Sequence, residues 1–358
     1  MNQDNLFLLR RLHGQLYKWV IKKREQYWEW RRLSFPRGTK VYIVGTPDHT
    51  NVGDSAIVLA EICFLQKCGL EKNKIKEITV SEYKKNYKCI NKYIKKRNLI
   101  CWHGGGNMGD QWIEEERFRR DAIVNLKGNP MIIFPQTFFY TETIQGQKER
   151  DESVKYYNDK KNLTIVAREK KSYQLLKMIY PDTKILLTPD IVFSLNFEKL
   201  GVKKSDRTEI LLCLREDTEK SLTTVEQEII KRVVSKKYGN FVQTDMYSEE
   251  AITKDNRAQC VRKKVEEFMR SKLVITDRLH AMIFAAKTET PCIVLDNNNH
   301  KIRETYEWIK KLSYIQYIKS VDELENAMEL LQDAESTSDG IKWEKYYEIL
   351  EKEVKNYI

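Results

Sequence analysis

Short apolar runs alternate with longer helical patterns along most of this chain, and this alternation restricts the folds open to it. The runs at 41–44 and 99–102 are each followed by a segment with helical spacing, at 56–67 and 112–126, and a second series begins at 209–214. Strands that alternate with helices in this way form βαβ units, and such units build parallel sheets covered by helices. The sequence therefore predicts an α/β fold made of two doubly wound halves.

The two predicted halves are separated by a polar, turn-rich stretch. A Thr-Pro-Asp sequence at 188–190 and the polar residues up to Asp206 interrupt the alternation, so we expect the join there. The predicted segments are a basic N-terminal segment, an N-terminal Rossmann-like domain, a C-terminal Rossmann-like domain and a helical tail, at 1–33, 34–195, 196–320 and 321–358.

Composition limits the partners and the location of the protein. The 358 residues include 63 Lys and Arg against 52 Asp and Glu, and the resulting net charge of +11 favours anionic partners such as phosphorylated metabolites. No nucleic-acid partner is expected, because aromatic residues do not interleave with the basic ones in a recognisable module. Three features favour a cytoplasmic protein. The seven cysteines are scattered without a C-x-x-C pair, no signal peptide is recognisable, and no apolar stretch reaches ~20 residues.

The first 33 residues form a basic amphipathic segment. Apolar residues such as Leu12, Leu16 and Trp19 recur at helical spacing among many lysines and arginines. Such a helix could lie as a peripheral element on the anionic inner face of a membrane. It could equally pack on its own domain, with aromatic residues such as Trp28 and Trp30 covering a sheet edge.

A charged turn lies between an apolar strand at 273–276 and an apolar helix at 281–286. At the carboxyl edge of a parallel sheet such a turn opens into the ligand crevice, and the N–H groups of the following helix attract an anion. Arg278 can hold a carboxylate or phosphate at two points, and His280 can exchange a proton near neutral pH. In the alternative interpretation, Asp277 and Arg278 pair locally and His280 is a core histidine.

Two glycine-containing loops, at 45–54 and 102–112, each follow a predicted strand. Both contain the pattern Asn-x-Gly-Asp, at 51–54 and 107–110. Glycine lets the backbone approach a ligand closely, and the Asn and Asp side chains suit hydroxyl groups. Two loops of one composition at the same sheet edge indicate one polar, hydroxyl-rich ligand; the alternative is a pair of glycine turns with capping Asx residues.

Signals for a cofactor are weak. Gly104, Gly106 and Gly109 satisfy the dinucleotide fingerprint, but that motif needs an acidic residue at the end of the next strand. The next strand, at 131–134, is followed by Pro-Gln-Thr instead. The five histidines are dispersed and form no metal-binding motif, so neither a metal nor an organic cofactor is expected.

Three more basic residues are predicted at the same sheet edge. Arg168 and Arg215 each follow an apolar strand, where a guanidinium is well placed to hold an anion. Lys301 follows the strand after the Arg-Leu-His helix. The alternatives are salt bridges from the arginines to the adjacent Glu169 and Glu216, and an ordinary surface charge for the lysine.

Six short motifs, taken in order, resemble the polysaccharide pyruvyl transferase family: Asn51-Val-Gly-Asp54, the glycine-rich stretch from Gly104 to Asp110, Pro135-Gln136, Arg168-Glu169, Pro189-Asp190 and Arg278-Leu-His280. The resemblance covers roughly residues 41–307. It implies two Rossmann-like domains facing across a cleft, as in GT-B glycosyltransferases. It also implies transfer of the enolpyruvyl group of phosphoenolpyruvate to a sugar of a surface polysaccharide or its lipid-linked precursor, giving a cyclic pyruvate ketal and phosphate.

The resemblance and the chemistry of the side chains together give the expected roles, with the acceptor on the N-terminal domain and the donor on the C-terminal one. The donor-binding residues are Arg168, Arg215, Arg278, Leu279, His280 and Lys301. The acceptor-binding residues are Asn51, Asp54, Gly105, Gly106, Asn107, Asp110 and Gln136. The catalytic residues are His280, Arg278 and Asp110, with His280 as the acid or base.

The residues suit this chemistry on physical grounds too. Ketal formation needs a proton for the methylene carbon of the donor, and it needs a sugar hydroxyl that loses its proton as it attacks. The donor carries about three negative charges, which the arginines and the lysine would neutralise. Two rivals remain: a GT-B glycosyltransferase with a nucleotide-sugar donor, which would release a nucleoside diphosphate, and a catalytically silent sugar- or metabolite-binding relative. The presence of His280 disfavours the silent relative, since mere binding needs no proton carrier.

Overall fold

The structure, a computed structural model, describes residues 14–21, 23, 38–202, 206–217, 220–296, 301–332, 334 and 341–358. Within these ranges the strands form two sheets, and every pair of neighbouring strands runs parallel. Helices connect most of the successive strands. The predicted α/β fold of two doubly wound halves is therefore confirmed.

The first half is built around the larger sheet. Its strands are β1 (Val41–Thr46), β2 (Ile75–Thr79), β3 (Leu99–Trp102), β4 (Gly105–Gly109), β5 (Met131–Phe139), β6 (Leu163–Ala167) and β7 (Lys184–Leu187). Its helices are α1 (Val52–Lys67), α2 (Val80–Tyr93), α3 (Ile113–Asn125), α4 (Ile144–Asn158) and α5 (Lys170–Ile179). The spatial order is β2-β1-β3-β5-β6-β7, and β4 pairs with β5.

The second half is built around the smaller sheet. Its strands are β8 (Glu209–Cys213), β9 (Val242–Thr244), β10 (Ser271–Thr276), β11 (Cys292–Leu295) and β12 (Ile315–Ile318), in the spatial order β12-β11-β10-β8-β9. Its helices are α6 (Thr224–Tyr238), α7 (Arg257–Met269), α8 (Leu279–Lys287) and α9 (Lys301–Tyr306), followed by α10 (Leu324–Leu330), α11 (Trp343–Tyr346) and α12 (Glu348–Lys355). The strands of the two sheets lie on either side of the predicted join; the exact domain boundaries stay a prediction.

The two halves share one apolar core. Along β1, Val41 and Ile43 belong to a buried cluster that also contains Leu211 and Val274 of the second sheet. The intervening residues of β1 belong to a separate cluster on the other face. Strands of a parallel sheet are buried on both faces in this way, which explains why their sequences are almost continuously apolar.

Part of the predicted loop at 102–112 forms the short strand β4. It pairs with β5 along the same edge as β3, further toward the carboxyl end, with Gly105 opposite Gln136. Gly109 has φ of 155°, and a Cβ there would lie 1.6 Å from the carbonyl oxygen of Phe139. Glycine is therefore required by the path of the chain at this position, independently of any ligand.

Contacts between the halves hold the carboxyl edges of the two sheets opposite each other. Helix α1 packs against α7. The backbone N–H of Val52 donates to the carbonyl of Met246 over 2.7 Å. Arg257 makes a two-point ion pair with Glu77, with N···O distances of 2.8 and 2.6 Å, and both side chains are largely buried.

The C-terminal helices return to the first half. The ring of Tyr347 lies 6.1 Å from that of Phe64 in α1, and its hydroxyl donates to the carbonyl of Asp190. The carboxylate of Glu353 accepts a 2.6 Å hydrogen bond from Thr164 of β6 and pairs with Lys184 of β7. Helices α11 and α12 and the residue between them thus pack as part of the first lobe.

Most of the predicted N-terminal segment at 1–33 lies outside the described residues. Residues 14–21 are helical and exposed. None of the helices in the described ranges is both long and apolar enough to cross a membrane.

Candidate functional site

A cavity of about 530 Å³ lies between the carboxyl edges of the two sheets. Both halves contribute to its lining. Of the predicted site residues, the lining contains Asn51, Asp54, Gly105, Gly106, Asn107, Arg168, Arg215, Arg278, Leu279, His280 and Lys301. The motifs that are distant in the sequence therefore meet at one place.

Asp110 and Gln136 are not part of this lining, which corrects their predicted placement. The carboxylate of Asp110 accepts hydrogen bonds from the backbone N–H, over 2.9 Å, and the hydroxyl of Thr141. Gln136 is fully buried and donates from Nε2 to the carbonyl of His103 over 2.7 Å. Gln136 thus supports a residue of the lining from behind, whereas Asp110 holds the backbone at Thr141. A motif identifies a turn but not the direction of each side chain in it.

Two carboxylates hold the guanidinium of Arg278. Asp245 takes one edge, with contacts of 2.6 Å at Nε and 2.8 Å at Nη2, and Asp217 lies 3.0 Å from Nη1. The guanidinium also lies over the ring of Tyr247, 5.2 Å from its centroid. Asp277 does not pair with its neighbour: its Oδ1 accepts a 2.8 Å bond from the backbone of Arg215, and burial raises its pKa to about 6.

The other two arginines are also paired with aspartates, and the adjacent Glu169 adds a longer contact of 4.0 Å to Nε of Arg168. Arg215 contacts Asp217 through Nε at 2.9 Å and Nη2 at 3.2 Å, so Asp217 lies between two guanidinium groups. Arg168 is buried and donates from Nη1 to Asp190 over 2.7 Å. Lys301 is 8% exposed and is therefore not the surface charge of the alternative interpretation.

His280 lies in the first turn of α8, with its Nε2 3.6 Å from the carboxylate of Asp190. Burial alone would raise the pKa of Asp190, but His280 and Arg168 outweigh it and hold this pKa well below its ordinary value. A charged carboxylate therefore lies between the imidazole and the Arg168 guanidinium. An imidazole beside a charged carboxylate is a suitable arrangement for proton transfer.

The imidazole of His280 rests against a glycine of the opposite half. A Cβ on Gly53, in the first turn of α1, would lie 2.4 Å from its Nδ1. The preceding Asn51 lines the cavity, but its Oδ1 caps this helix through Gly53 N at 2.8 Å and Asp54 N at 3.2 Å. The Asn-x-Gly-Asp motif thus supplies a helix cap, a glycine against which His280 packs, and one carboxylate of the lining.

Asn107, in the second such motif, is oriented by a buried arginine. Its Oδ1 accepts a hydrogen bond from Nη2 of Arg119, and Arg119 is itself paired with Glu116. Because the amide oxygen is used in this way, the NH₂ group is the part of Asn107 that remains for a ligand. It would therefore donate to a ligand oxygen.

His103, which lines the cavity together with His49 and His280, was not predicted from the sequence. Nδ1 of His103 lies 3.0 Å from Oε2 of Glu61, and Oε1 of the same carboxylate accepts a 2.7 Å bond from the backbone N–H of Gly104. Glu61 is fully buried in α1. The one available signal was a single glutamate within the apolar run of this helix.

The described residues contain no group of three or more His, Cys, Asp or Glu side chains arranged to hold a metal ion. The lining instead carries guanidinium, imidazole, carboxylate and amide groups. Such a set can bind an anion and move protons.

Known proteins resemble this chain in sequence and in fold. Residues 51–299 match the family model described as Polysaccharide pyruvyl transferase. The chain is 32% identical to General stress protein 30 of Bacillus subtilis, with 83% of this chain and 86% of that protein covered. It is 27% identical to Pyruvyl transferase 1 of Schizosaccharomyces pombe, with 82% and 75% covered. A solved structure of an uncharacterized Klebsiella pneumoniae protein matches with a TM-score of 0.55 at 18% identity, covering 83% and 98%, which shows similarity of fold.

Gly53→Ala should destabilise the protein only while His280 is present. Alanine suits a helix better than glycine, so the expected loss of about 1–3 kcal/mol in unfolding free energy comes from overpacking against the imidazole. In a His280→Ala background the loss should vanish, and urea unfolding of the four proteins measures this coupling. Gly128→Ala, where a Cβ meets only the flexible Lys96 side chain at 3.5 Å, is the control. Equal losses in both backgrounds would exclude the contact.

Proposed function

The chain belongs to the polysaccharide pyruvyl transferase family, and on this premise we propose that it transfers the enolpyruvyl group of phosphoenolpyruvate to a sugar. The acceptor is a unit of a surface polysaccharide or of its lipid-linked precursor, the product is a pyruvate ketal, and phosphate is released. One observation carries the proposal: the cavity joins three arginines and a lysine to a histidine that a buried carboxylate holds.

Binding of the donor depends on how the positive charge of the cavity is shared. Each of the three arginines already pairs with a carboxylate, so the donor meets few unneutralised charges. Asp217 occupies the point where the forks of Arg215 and Arg278 converge, which is where a carboxylate or phosphate of the donor would bind. We expect the donor to displace Asp217 while Asp245 keeps the other edge of Arg278 in place.

Proton transfer is assigned to His280. As an imidazolium beside the charged Asp190, it gives a proton to the methylene carbon of the donor. The neighbouring carbon becomes cation-like and is stabilised by the carboxylate of the donor itself. No step in this scheme needs a metal ion, so phosphoenolpyruvate and the acceptor are the expected substrates without a further cofactor.

His280→Ala should keep the fold and lose at least about 100-fold in turnover, since it removes the proton carrier. The assay supplies ¹⁴C-labelled phosphoenolpyruvate and a heat-treated cell-envelope fraction from a strain that lacks the gene, and it measures acid-labile label in the polysaccharide together with released phosphate. Donor binding is followed by the rise in melting temperature with phosphoenolpyruvate. A rise with nucleotide sugars alone, with release of a nucleoside diphosphate, would favour a glycosyltransferase instead.

Asp217→Asn should tighten binding of phosphoenolpyruvate by about tenfold, because the variant no longer competes as an anion for the two arginines. Calorimetric titration measures the change. Glu216→Gln is the matched control, since Glu216 is exposed and pairs with Lys220 outside the cavity. Glu115→Gln removes a carboxylate of the cavity lining, to which Asp217 itself does not belong. Equal tightening in Glu115→Gln would indicate a general charge effect, and weaker binding in Asp217→Asn would make Asp217 a group that positions the arginines.

Contact with an anionic membrane through residues 1–33 is a further part of the proposal. In the described helical residues Leu16, Tyr17 and Trp19 are more than half exposed. An exposed apolar face among basic residues binds vesicles that contain anionic lipid. The full-length double variant Leu16→Glu and Trp19→Glu should therefore lose flotation with phosphatidylglycerol vesicles, while neither protein floats with phosphatidylcholine alone. Unchanged flotation of the variant would refute the contact.

A further inference from the structure

The His103–Glu61 pair belongs to the half of the cavity opposite His280, and the scheme above gives it no task. We propose that His103 is the base that takes the proton from the attacking hydroxyl of the acceptor, and that Glu61 is the positioning residue for its ring. This inference rests on the proposed function. It assigns the proton given to the donor and the proton taken from the first acceptor hydroxyl to two histidines on opposite lobes.

The geometry leaves His103 one ring nitrogen for a ligand. Its Nδ1 is engaged by Glu61 at 3.0 Å, so Nε2 is the nitrogen available to the cavity that the residue lines. Glu61 cannot turn away, because its second oxygen accepts the 2.7 Å bond from Gly104. A carboxylate that fixes the tautomer and direction of an imidazole in this way is the usual support of a histidine base.

A purely structural task explains the imidazole poorly. The backbone around His103 is already held without its side chain, since its N–H donates to the carbonyl of Val44 over 3.0 Å and its carbonyl accepts from Gln136. The ring adds no hydrogen bond to this loop beyond the one to Glu61. Burying a carboxylate and an imidazole together costs free energy. A function of the ring in the cavity therefore explains the pair better than a structural role does.

The charged groups around His103 favour a strong base. Burial alone would lower its pKa, but Glu61, together with Asp54 of the same helix, raises it above the ordinary value, against a smaller opposing effect of Arg257 from α7. The imidazole must be neutral to accept a proton. The rate should therefore fall on the acid side of its pKa, and the position of that fall depends on the charge of Glu61.

Protons and electrons balance in this scheme. His280 gives its proton to the methylene carbon, the first hydroxyl oxygen bonds to the neighbouring carbon, and the hydroxyl proton passes to Nε2 of His103. The bond from that carbon to the phosphate oxygen then breaks with its electron pair on phosphate, and the second hydroxyl oxygen bonds to the carbon. Of the two hydroxyl protons, one restores the proton that His280 gave, and the other leaves on hydrogen phosphate.

Two variants test the assignment in the transfer assay with labelled phosphoenolpyruvate and the heat-treated envelope fraction, from pH 5.5 to 9. His103→Gln should lower turnover by about 100-fold or more while keeping the stabilisation by phosphoenolpyruvate, which also verifies that the variant is folded. Glu61→Gln should move the acid limb of kcat/KM for phosphoenolpyruvate to lower pH by about one unit. Glu71→Gln, an exposed residue just after the same helix, should move neither.

The outcomes separate this inference from the proposed function. A His103→Gln enzyme within about threefold of the parent rate would overturn the assignment while the transferase activity stands. A Glu61→Gln enzyme that loses rate equally at every pH would reduce the pair to a structural support, even if His103→Gln failed to fold. If the parent protein transfers no label, the proposed function fails, and the role of His103 fails with it.

Discussion

The buried carboxylate of Asp190 is the interaction on which the rest of the site depends. It lies in the segment that joins the two sheets and contacts Arg168, which follows β6, and His280, which lies in the first turn of α8. Both partners help to keep a charge at this depth, because an unpaired buried carboxylate would take up a proton. The position of the first lobe relative to the second is therefore coupled to the electrostatics of the proton carrier.

The charge of the cavity differs from what its sequence suggests. Four basic residues imply a strongly positive pocket, yet the arginines are held by Asp190, Asp217 and Asp245. Such pairing keeps long guanidinium side chains in one geometry before a ligand arrives, which reduces the ordering cost of binding. A trianionic ligand would then exchange with a carboxylate already present, so selectivity depends on geometry as well as on charge.

Much of the fold could be predicted from periodicity, because strands buried on both faces have nearly continuous apolar sequences. The alternation does not identify β2, where Ile75–Thr79 mixes charged and apolar residues, as expected for a strand at the edge of the sheet. The site was predictable where a motif marks a strand end, as with Arg278 and His280. It was not predictable where a partner is remote: the pairing of Glu61 with His103 spans 42 positions, and sequence cannot tell that Asp110 turns toward Thr141.

The return of the C-terminal helices to the first lobe has a consequence for biosynthesis. Strands β6 and β7 obtain their contacts to Glu353 only after that residue has left the ribosome, and the cluster around Phe64 lacks Tyr347, Leu350 and Val354 until they have been synthesised. Until then the lobe that is translated first exposes apolar surface. Exposed apolar surface on a nascent chain recruits chaperones. Cotranslational folding of this protein can therefore not proceed lobe by lobe to completion.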